Sequence, residues 1–184
     1  MARLPYLDAS DLREEDRDQL ARPINLNRAL VHSIPTSRHF WDMANWIRFD
    51  ATVDRRLREM AIMQVGYVTR SAYEWSHHVQ LGMKDFGVSE DDVRAIIAES
   101  EGRDSGLPAL DRAVLRLTRE MTLTRVGSRE AFEEVRAALG EAQLTELLVT
   151  IGFYQTVVAY LLTMEIDVEP DYEQYLERFP LPKD

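Results

Sequence analysis

The chain has 184 residues, enough for one domain with a substantial buried core, and its 45% hydrophobic and 29% charged residues are typical of soluble proteins. Its net charge of -10 argues against nucleic acid or an anionic membrane as a partner, because phosphate binding needs a basic patch and no run of Lys and Arg is present. The lack of cysteine excludes disulfides, thiolate nucleophiles, zinc–cysteine sites and thiol peroxidase chemistry.

Prolines divide the first fifty residues, where they mark helix boundaries. Residues 1–22 are predicted to form an arm and one helix, and they contain no apolar stretch of the kind found in signal peptides, so we expect a cytoplasmic protein. Three helices are predicted here: 11–20 after a Ser10 cap, 25–33 before Pro35, and one that runs to residue 48 after a Ser37 cap.

Residues 54–87 are predicted to form two consecutive helices, joined at Arg70 and Ser71 and ended by Gly87. The stretch 60–68 contains only one strongly polar side chain, so the first of these helices is expected to be buried on most sides, with Glu59 at its rim. In the second passage Ser71, Glu74 and His78 share one helix face at i, i+3 and i+7 spacing, which brings Glu74 within reach of His78.

The Glu74–His78 pair has two interpretations. At the edge of a buried face a carboxylate and an imidazole are suited to proton transfer, but the same spacing occurs in ordinary surface pairs, which spacing alone favours. Ser71 lies about 10 Å along the helix from His78, which is too far for direct activation as a nucleophile. Glu74 and His77 match the ExxH spacing of di-iron bundles, but the sequence has no second copy, so no metal site is predicted.

The second half of the chain is also predicted to be helical. A Ser89-capped helix to residue 99 and a loop at 101–108 precede helices at 110–123, at 129–139 after a Ser128 cap, and at 142–165. The last of these is strongly apolar but contains Gln155, which favours a core or subunit-interface helix over a membrane span. Tyr154 and Gln155 either line a pocket or bond to neighbouring helices. The tail, 166–184, is expected to be irregular. The prediction is an all-α single domain, 1–184, of about eight helices.

A resemblance to a known family adds to these expectations. The run RLREMAIMQVGYVTRSAYEWSHHVQLGMKDFGVSEDDV resembles the carboxymuconolactone decarboxylase family, in the branch with a YEWxxH signature formed here by Tyr73, Glu74, Trp75 and His78. The segments RPINLNRALVHS and LLVTIGFYQTVVAYLL are also similar to family segments. The related alkylhydroperoxidase D-like (AhpD-like) branch uses a glutamate followed by CxxCxxxH. Alignment of the histidines places the glutamate at Glu59 and the two cysteines at Ser71 and Glu74, so both thiols are missing here.

The resemblance implies an all-helical fold that assembles as a homotrimer or homohexamer, with a pocket near the subunit contacts. The namesake reaction removes carbon dioxide from a carboxylated unsaturated lactone without a cofactor. By this analogy His78 is the general acid or base, Glu74 orients or tunes it, and Glu59 shares the proton or contacts the substrate. The implied substrate-binding residues are Ser71, Tyr73, Arg70 and Tyr154, with Arg56 as an alternative to Arg70 for holding an anionic group.

Two other functions remain open at this point. One is an isomerase, cyclase or lyase that tailors an enolisable natural-product intermediate, and the other is a non-catalytic, small-molecule-binding oligomer. A closed pocket of about 300 Å³ or more beside Glu59 and Glu74 would favour catalysis over a scaffolding role.

Overall fold

The computed structural model describes residues 2–182, and the regular secondary structure in that range is entirely helical. Two 3₁₀ segments, Ala9–Asp11 and Glu14–Leu20, precede the α-helices. The α-helices are α1 (Asn25–Leu30), α2 (Ile34–Phe49), α3 (Arg55–Val68), α4 (Ala72–Asp85), α5 (Glu90–Ser100), α6 (Ala109–Thr124), α7 (Arg129–Met164) and α8 (Pro170–Arg178). The prediction of an all-α fold is confirmed; the last two residues of the predicted tail lie outside the described range.

Helix α3 lies at the centre and packs against α4, α5, α6 and α7. One side of it, with Leu57, Ala61 and Val65, joins a core cluster that contains much of α7. The other side, with Met60 and Met63, joins a second cluster that contains residues of α4, α5 and α6. Burial on both sides explains why the 60–68 stretch is apolar around most of the helix.

Side-chain caps set the register of the two central helices. Asp54 caps α3 by accepting from the Leu57 backbone N–H at 3.0 Å, and Ser71 caps α4 by accepting from the Glu74 N–H at 3.4 Å. Arg70, between the helices, has a left-handed backbone with φ of 55°. The predicted junction at Arg70 and Ser71 is confirmed, and Ser71 acts there as a helix cap.

Close packing of α3 on α4 depends on Gly66. A Cβ at this position would lie 3.0 Å from the backbone nitrogen of Trp75 and 3.3 Å from its Cα, and backbone atoms inside a helix cannot move aside individually. We therefore expect Gly66→Ala to lower the free energy of unfolding by about 1–3 kcal/mol. Urea denaturation followed by circular dichroism measures this.

Gly152 in α7 is the matched control, because a Cβ there has no neighbour within 4 Å. We expect Gly152→Ala to raise stability by up to about 1 kcal/mol through its higher helix propensity. Equal stability of the two alanine variants would contradict the proposed close contact between α3 and α4.

The N-terminal helix predictions need correction. The predicted helix 11–20 is instead two 3₁₀ segments, and Ser10 lies inside the first of them. The helix predicted at 25–33 ends at Leu30. Helix α2 begins before Ser37 because Pro35 occupies its first turn, where the missing proline N–H has no helical partner to lose. Ser37 is buried in that helix and donates to Gln19 Oε1 at 3.0 Å.

The prediction of an irregular tail is wrong in its central part, because Pro170–Arg178 form α8. Pro170 starts this helix, and its apolar side packs against α4. Trp75 Nε1 donates to the Phe179 carbonyl at 2.7 Å, which ties the end of α8 to the first turn of α4. The apolar spacing of Tyr172, Tyr175, Leu176 and Phe179 is helical and was visible in the sequence.

The long helix α7 is interrupted at Gly140, whose φ of 77° and ψ of 172° are not helical, in agreement with the predicted break. By length and composition alone α7 could cross a membrane. Its residues Leu144, Leu147 and Ile151 are, however, buried in the core cluster with α3. This packing favours the core helix of a soluble protein.

Candidate active site

Glu59 from α3 meets Glu74 and His78 from α4 in the interior of the helical bundle. His78 Nδ1 lies 2.6 Å from Glu59 Oε1, and His78 Nε2 lies 3.2 Å from Glu74 Oε1. The three residues are only 2%, 2% and 6% exposed for Glu59, Glu74 and His78. The surface-pair interpretation of Glu74 and His78 is therefore wrong, and so is the placement of Glu59 at a rim.

The two carboxylates contact the imidazole differently. An ionised Glu59 can only accept, so His78 Nδ1–H donates to it, and this bond orients the ring. Space for the Glu59 side chain comes from Gly82, where a Cβ would lie 3.0 Å from Glu59 Cγ. Glu74 Oε1, despite its short distance to Nε2, is a buried oxygen without a hydrogen-bond partner. Glu74 and His78 Nε2 are thus the pair available to a bound molecule.

The electrostatic surroundings shift the pKa values of both Glu74 and His78. Burial raises the pKa of Glu74 to about 7. The charge of His78 lowers this pKa, the charge of Glu59 raises it, and the charge of Arg48 lowers it. Burial alone lowers the pKa of His78, but the charges of Glu59 and Glu74 outweigh it and raise this pKa above its usual value. Tyr154 packs its ring edge-on to His78 at 5.0 Å, and burial raises the pKa of its phenol.

Glu74 and His78 line a small inner cavity of about 40 Å³, whereas Glu59 lies behind the imidazole and does not line it. This volume holds a few water molecules at most and is smaller than the 300 Å³ expected. The cavity shares residues with adjoining clefts of about 340 Å³ and 740 Å³. Its walls consist of Arg22, Ile24, Leu26, Trp41, Arg48, Tyr73, Glu74, His77, His78 and Leu81. A substrate-sized molecule must therefore extend from the inner cavity into a cleft.

The structure places only some of the predicted substrate-binding residues at the cavity. Tyr73 lines the cavity, whereas Arg70 and Ser71 are not among the described residues that do. Tyr154 contacts the His78 ring without lining the cavity. Arg56 cannot serve as the anion site, because it is bound to both Asp92 and Asp111.

Sequence reasoning missed the two arginines at the cavity, Arg22 and Arg48. Neither carries a local signal: Arg48 resembles any basic residue in the last turn of a helix, and Arg22 simply precedes a proline. Trp41 of α2 lines the cavity as well.

His77, the second half of the ExxH match, faces a different set of residues. Its ring is stacked between Tyr73 and Tyr172, at centroid distances of 3.9 Å and 3.5 Å, and its Nε2 lies 3.1 Å from Glu169. Burial lowers the pKa of His77 despite this carboxylate. Within residues 2–182, no group of three or more His, Asp or Glu side chains has a geometry that would hold a metal ion.

Known proteins resemble this chain in sequence over one segment and in fold over nearly its whole length. Residues 35–120, which include Glu59, Glu74 and His78, match the carboxymuconolactone decarboxylase family. This match spans slightly less than half of the 184 residues, so the likeness to the family concerns that segment of the chain. No curated protein matches it.

Two crystal structures share the AhpD-like fold over nearly the whole chain. The first is an uncharacterized peroxidase-related protein with an alkylhydroperoxidase AhpD core from Ralstonia eutropha JMP134, 15% identical, with 95% of each chain covered and a TM-score of 0.74. The second is an uncharacterized peroxidase-related protein from Silicibacter sp. TM1040, 16% identical, with 92% of each chain covered and a TM-score of 0.68. At this identity the likeness concerns the fold alone, and the present chain contains no cysteine.

Proposed function

We propose that this protein is a cofactor-independent enzyme of the carboxymuconolactone decarboxylase type, a carbon–carbon lyase acting on a small carboxylated lactone or a similar enolisable substrate. The observation that carries the proposal is the buried contact of His78 with two carboxylates at a cavity. Three titratable groups so far from solvent are costly to bury and are typical of acid–base catalysis.

The geometry divides the roles differently from the sequence-based expectation. Glu59 holds His78 Nδ1 from behind the cavity, so in our proposal it orients the imidazole and stabilises its charged form. Glu74 faces the cavity beside His78 Nε2, so these two groups are the ones that contact substrate.

In the decarboxylation that we propose, the bond between the substrate carboxylate and its carbon breaks, and carbon dioxide leaves. The bonding electron pair moves into the conjugated lactone carbonyl and gives a dienolate. The dienolate carbon then takes a proton from His78 Nε2 or from Glu74. A general acid with a pKa near 7, as burial gives Glu74, is well suited to this step.

One observation supports isomerisation as a second candidate. Two groups rather than one face the cavity, so ionised Glu74 can remove a proton from one carbon while His78 Nε2–H returns one to another. This reaction uses the same residues and releases no carbon dioxide. A non-catalytic binding protein would show neither carbon dioxide release nor solvent hydrogen in the recovered ligand.

The pH dependence of turnover tests the role of Glu74. We expect the rate to fall as the pH rises through about 7, because ionisation removes the proton that Glu74 donates. Glu74→Gln, which cannot ionise, is expected to lower the rate by about 10²-fold and to leave a single ionisation in place of two coupled ones. The measurement is NMR of carbon dioxide release and deuterium incorporation from D₂O, with carboxylated γ-lactones from pH 5.5 to 9.

Glu173→Gln, a change at an exposed carboxylate in α8, should leave the profile unchanged. A Glu74→Gln protein with the wild-type rate and profile would remove Glu74 from the chemistry.

Assembly as a homotrimer or homohexamer in the cytoplasm is part of the same proposal. It is supported by large apolar side chains on the monomer surface, among them Phe49 at 73% exposure and Val126 at 70%. Val149 and Leu162 on α7 are also exposed. Analytical ultracentrifugation measures the oligomeric state directly.

A further inference from the structure

Two arginines meet at the mouth of the inner cavity. Arg22, which lies between the second 3₁₀ segment and α1, and Arg48, in the last turn of α2, line this cavity and both adjoining clefts. Within the described residues neither side chain has a carboxylate within ion-pair distance. About half of the arginines that the structure describes pair with a carboxylate, and Arg22 and Arg48 are distinguished from the other unpaired ones by lining the same cavity.

Several buried polar atoms around this point have no hydrogen-bond partner. They include Arg48 Nε and Trp41 Nε1, both donors, and Asn27 Oδ1, an acceptor. All three residues line the 340 Å³ cleft. Buried donors are nearly always bonded in folded proteins, so these two donors on the cleft wall are available to an acceptor atom of a bound molecule. Among the described residues that line this cleft, the two guanidinium groups outnumber the carboxylates, since Asp18 is the single acidic residue there.

The surrounding structure holds both guanidinium groups in place. Arg22 Nη2 donates to the Tyr172 hydroxyl of α8 at 3.1 Å. The Arg48 guanidinium carbon lies 5.7 Å from the centroid of the Trp41 ring, in a cation–π contact. Groups fixed before binding lose less conformational entropy when a ligand arrives, which favours affinity.

We propose that Arg22, Arg48 and Trp41 bind an anionic group of the substrate, a carboxylate on a small unsaturated ring, and direct the ring edge into the inner cavity towards Glu74 and His78. The bidentate geometry of guanidinium groups matches a carboxylate. The inner cavity of about 40 Å³ admits only a slender portion of a molecule, whereas the 340 Å³ cleft has room for the rest.

An anion at this site also acts on the catalytic pair. The positive charge of Arg48 lowers the pKa of Glu74 against the effect of burial. A carboxylate bound to Arg48 offsets that charge, so substrate binding favours the protonated form of Glu74 from which a proton is donated. The assignment of the catalytic pair rests on the proposed function; the anion site itself does not require turnover.

The test compares a carboxylate with its neutral analogue. 2-Furoate and 2-furamide have the same ring, and isothermal titration calorimetry at pH 7.5 measures the Kd of each. We expect 2-furoate to bind at least 10-fold more tightly than 2-furamide to the wild-type protein. Arg48→Ala and Arg22→Ala should each weaken 2-furoate binding about 10-fold or more and change 2-furamide binding less than 3-fold. Arg48→Lys should lie between the wild type and Arg48→Ala.

Arg112→Ala, which removes a positive charge from a different cleft, is the matched control and should bind 2-furoate as the wild type does. Folding of the Arg48 variants is checked by circular dichroism; the Arg48 backbone carbonyl, which accepts from Arg58 Nη2 at 3.0 Å, is present in every variant. Equal affinity for the two probes, no detectable 2-furoate binding, or binding indifferent to Arg48→Ala and Arg22→Ala would each overturn the proposal.

The same titration with His78→Gln separates the two proposals. The anion site predicts that 2-furoate binding persists in this variant. Arginine-dependent binding in a protein without turnover on any lactone would contradict the proposed function alone, and turnover with arginine-independent binding would contradict the anion site alone.

Discussion

Replacing His78 by Gln is expected to reduce turnover by about 10²–10⁴-fold while the fold is kept. The imidazole is the group that contacts both carboxylates, so its removal leaves the cavity without its second titratable group. Gln is close to His in size and can still donate to Glu59, which limits the loss of stability. The measurement is the rate of carbon dioxide release or deuterium incorporation at pH 7, with circular dichroism as the check of folding.

His39→Gln is the matched control for this experiment. His39 lies on α2 with its side chain 85% exposed, far from the burial that gives His78 its properties. We expect this variant to turn over at the wild-type rate. Undiminished activity of His78→Gln would exclude His78 from the mechanism and leave the proposed chemistry without its central group.

Trp75→Ala is expected to cause the largest loss of stability, about 3–5 kcal/mol. The Trp75 side chain is 0% exposed, contacts the Tyr67 ring at a centroid distance of 5.1 Å, and supports the end of α8 through its bond to the Phe179 carbonyl. Removing the ring leaves a cavity between α3 and α4 and an unpaired carbonyl. Urea denaturation followed by far-UV circular dichroism gives the change in the free energy of unfolding.

Trp75→Phe separates the two contributions, because it keeps an aromatic ring and removes only the indole N–H and part of the volume. We expect it to lose about 1–2 kcal/mol. Leu123→Ala, a truncation at a side chain 61% exposed, should change stability by no more than about 0.5 kcal/mol. A Trp75→Ala loss as small as that of Leu123→Ala would show that Trp75 does not organise the α3–α4 core.

Capping serines and a glycine after a helix end predicted several helix boundaries correctly. Ser89 and Ser128 cap α5 and α7 as expected, and Gly87 follows α4 with a φ of 76°. The predictions failed where proline was taken only as a terminator, although it also starts helices: Pro35 lies in the first turn of α2 and Pro170 begins α8.

Only the part of the site that lies on a single helix could be predicted from the sequence. The i, i+4 spacing placed Glu74 beside His78, but nothing in that spacing reported burial, which depends on what the other helices cover. Glu59 is 19 residues from His78, so helix periodicity could not place the two side chains together. The family resemblance identified Glu59 as a candidate site residue. Arg22 and Arg48 reach the cavity from separate segments, so their contribution depends on tertiary packing.

The C-terminal helix α8 supports residues that line the inner cavity. Tyr172 of α8 steadies Arg22, while Glu169, at the start of α8, accepts from the Tyr73 hydroxyl at 3.1 Å and so reaches the wall of the inner cavity. Arg22 and α8 both lie outside the segment that matches the family, whereas Glu59, Glu74 and His78 lie inside it. Substitutions in the two outer portions of the chain can therefore change the contacts at the cavity wall without replacing any of these three side chains.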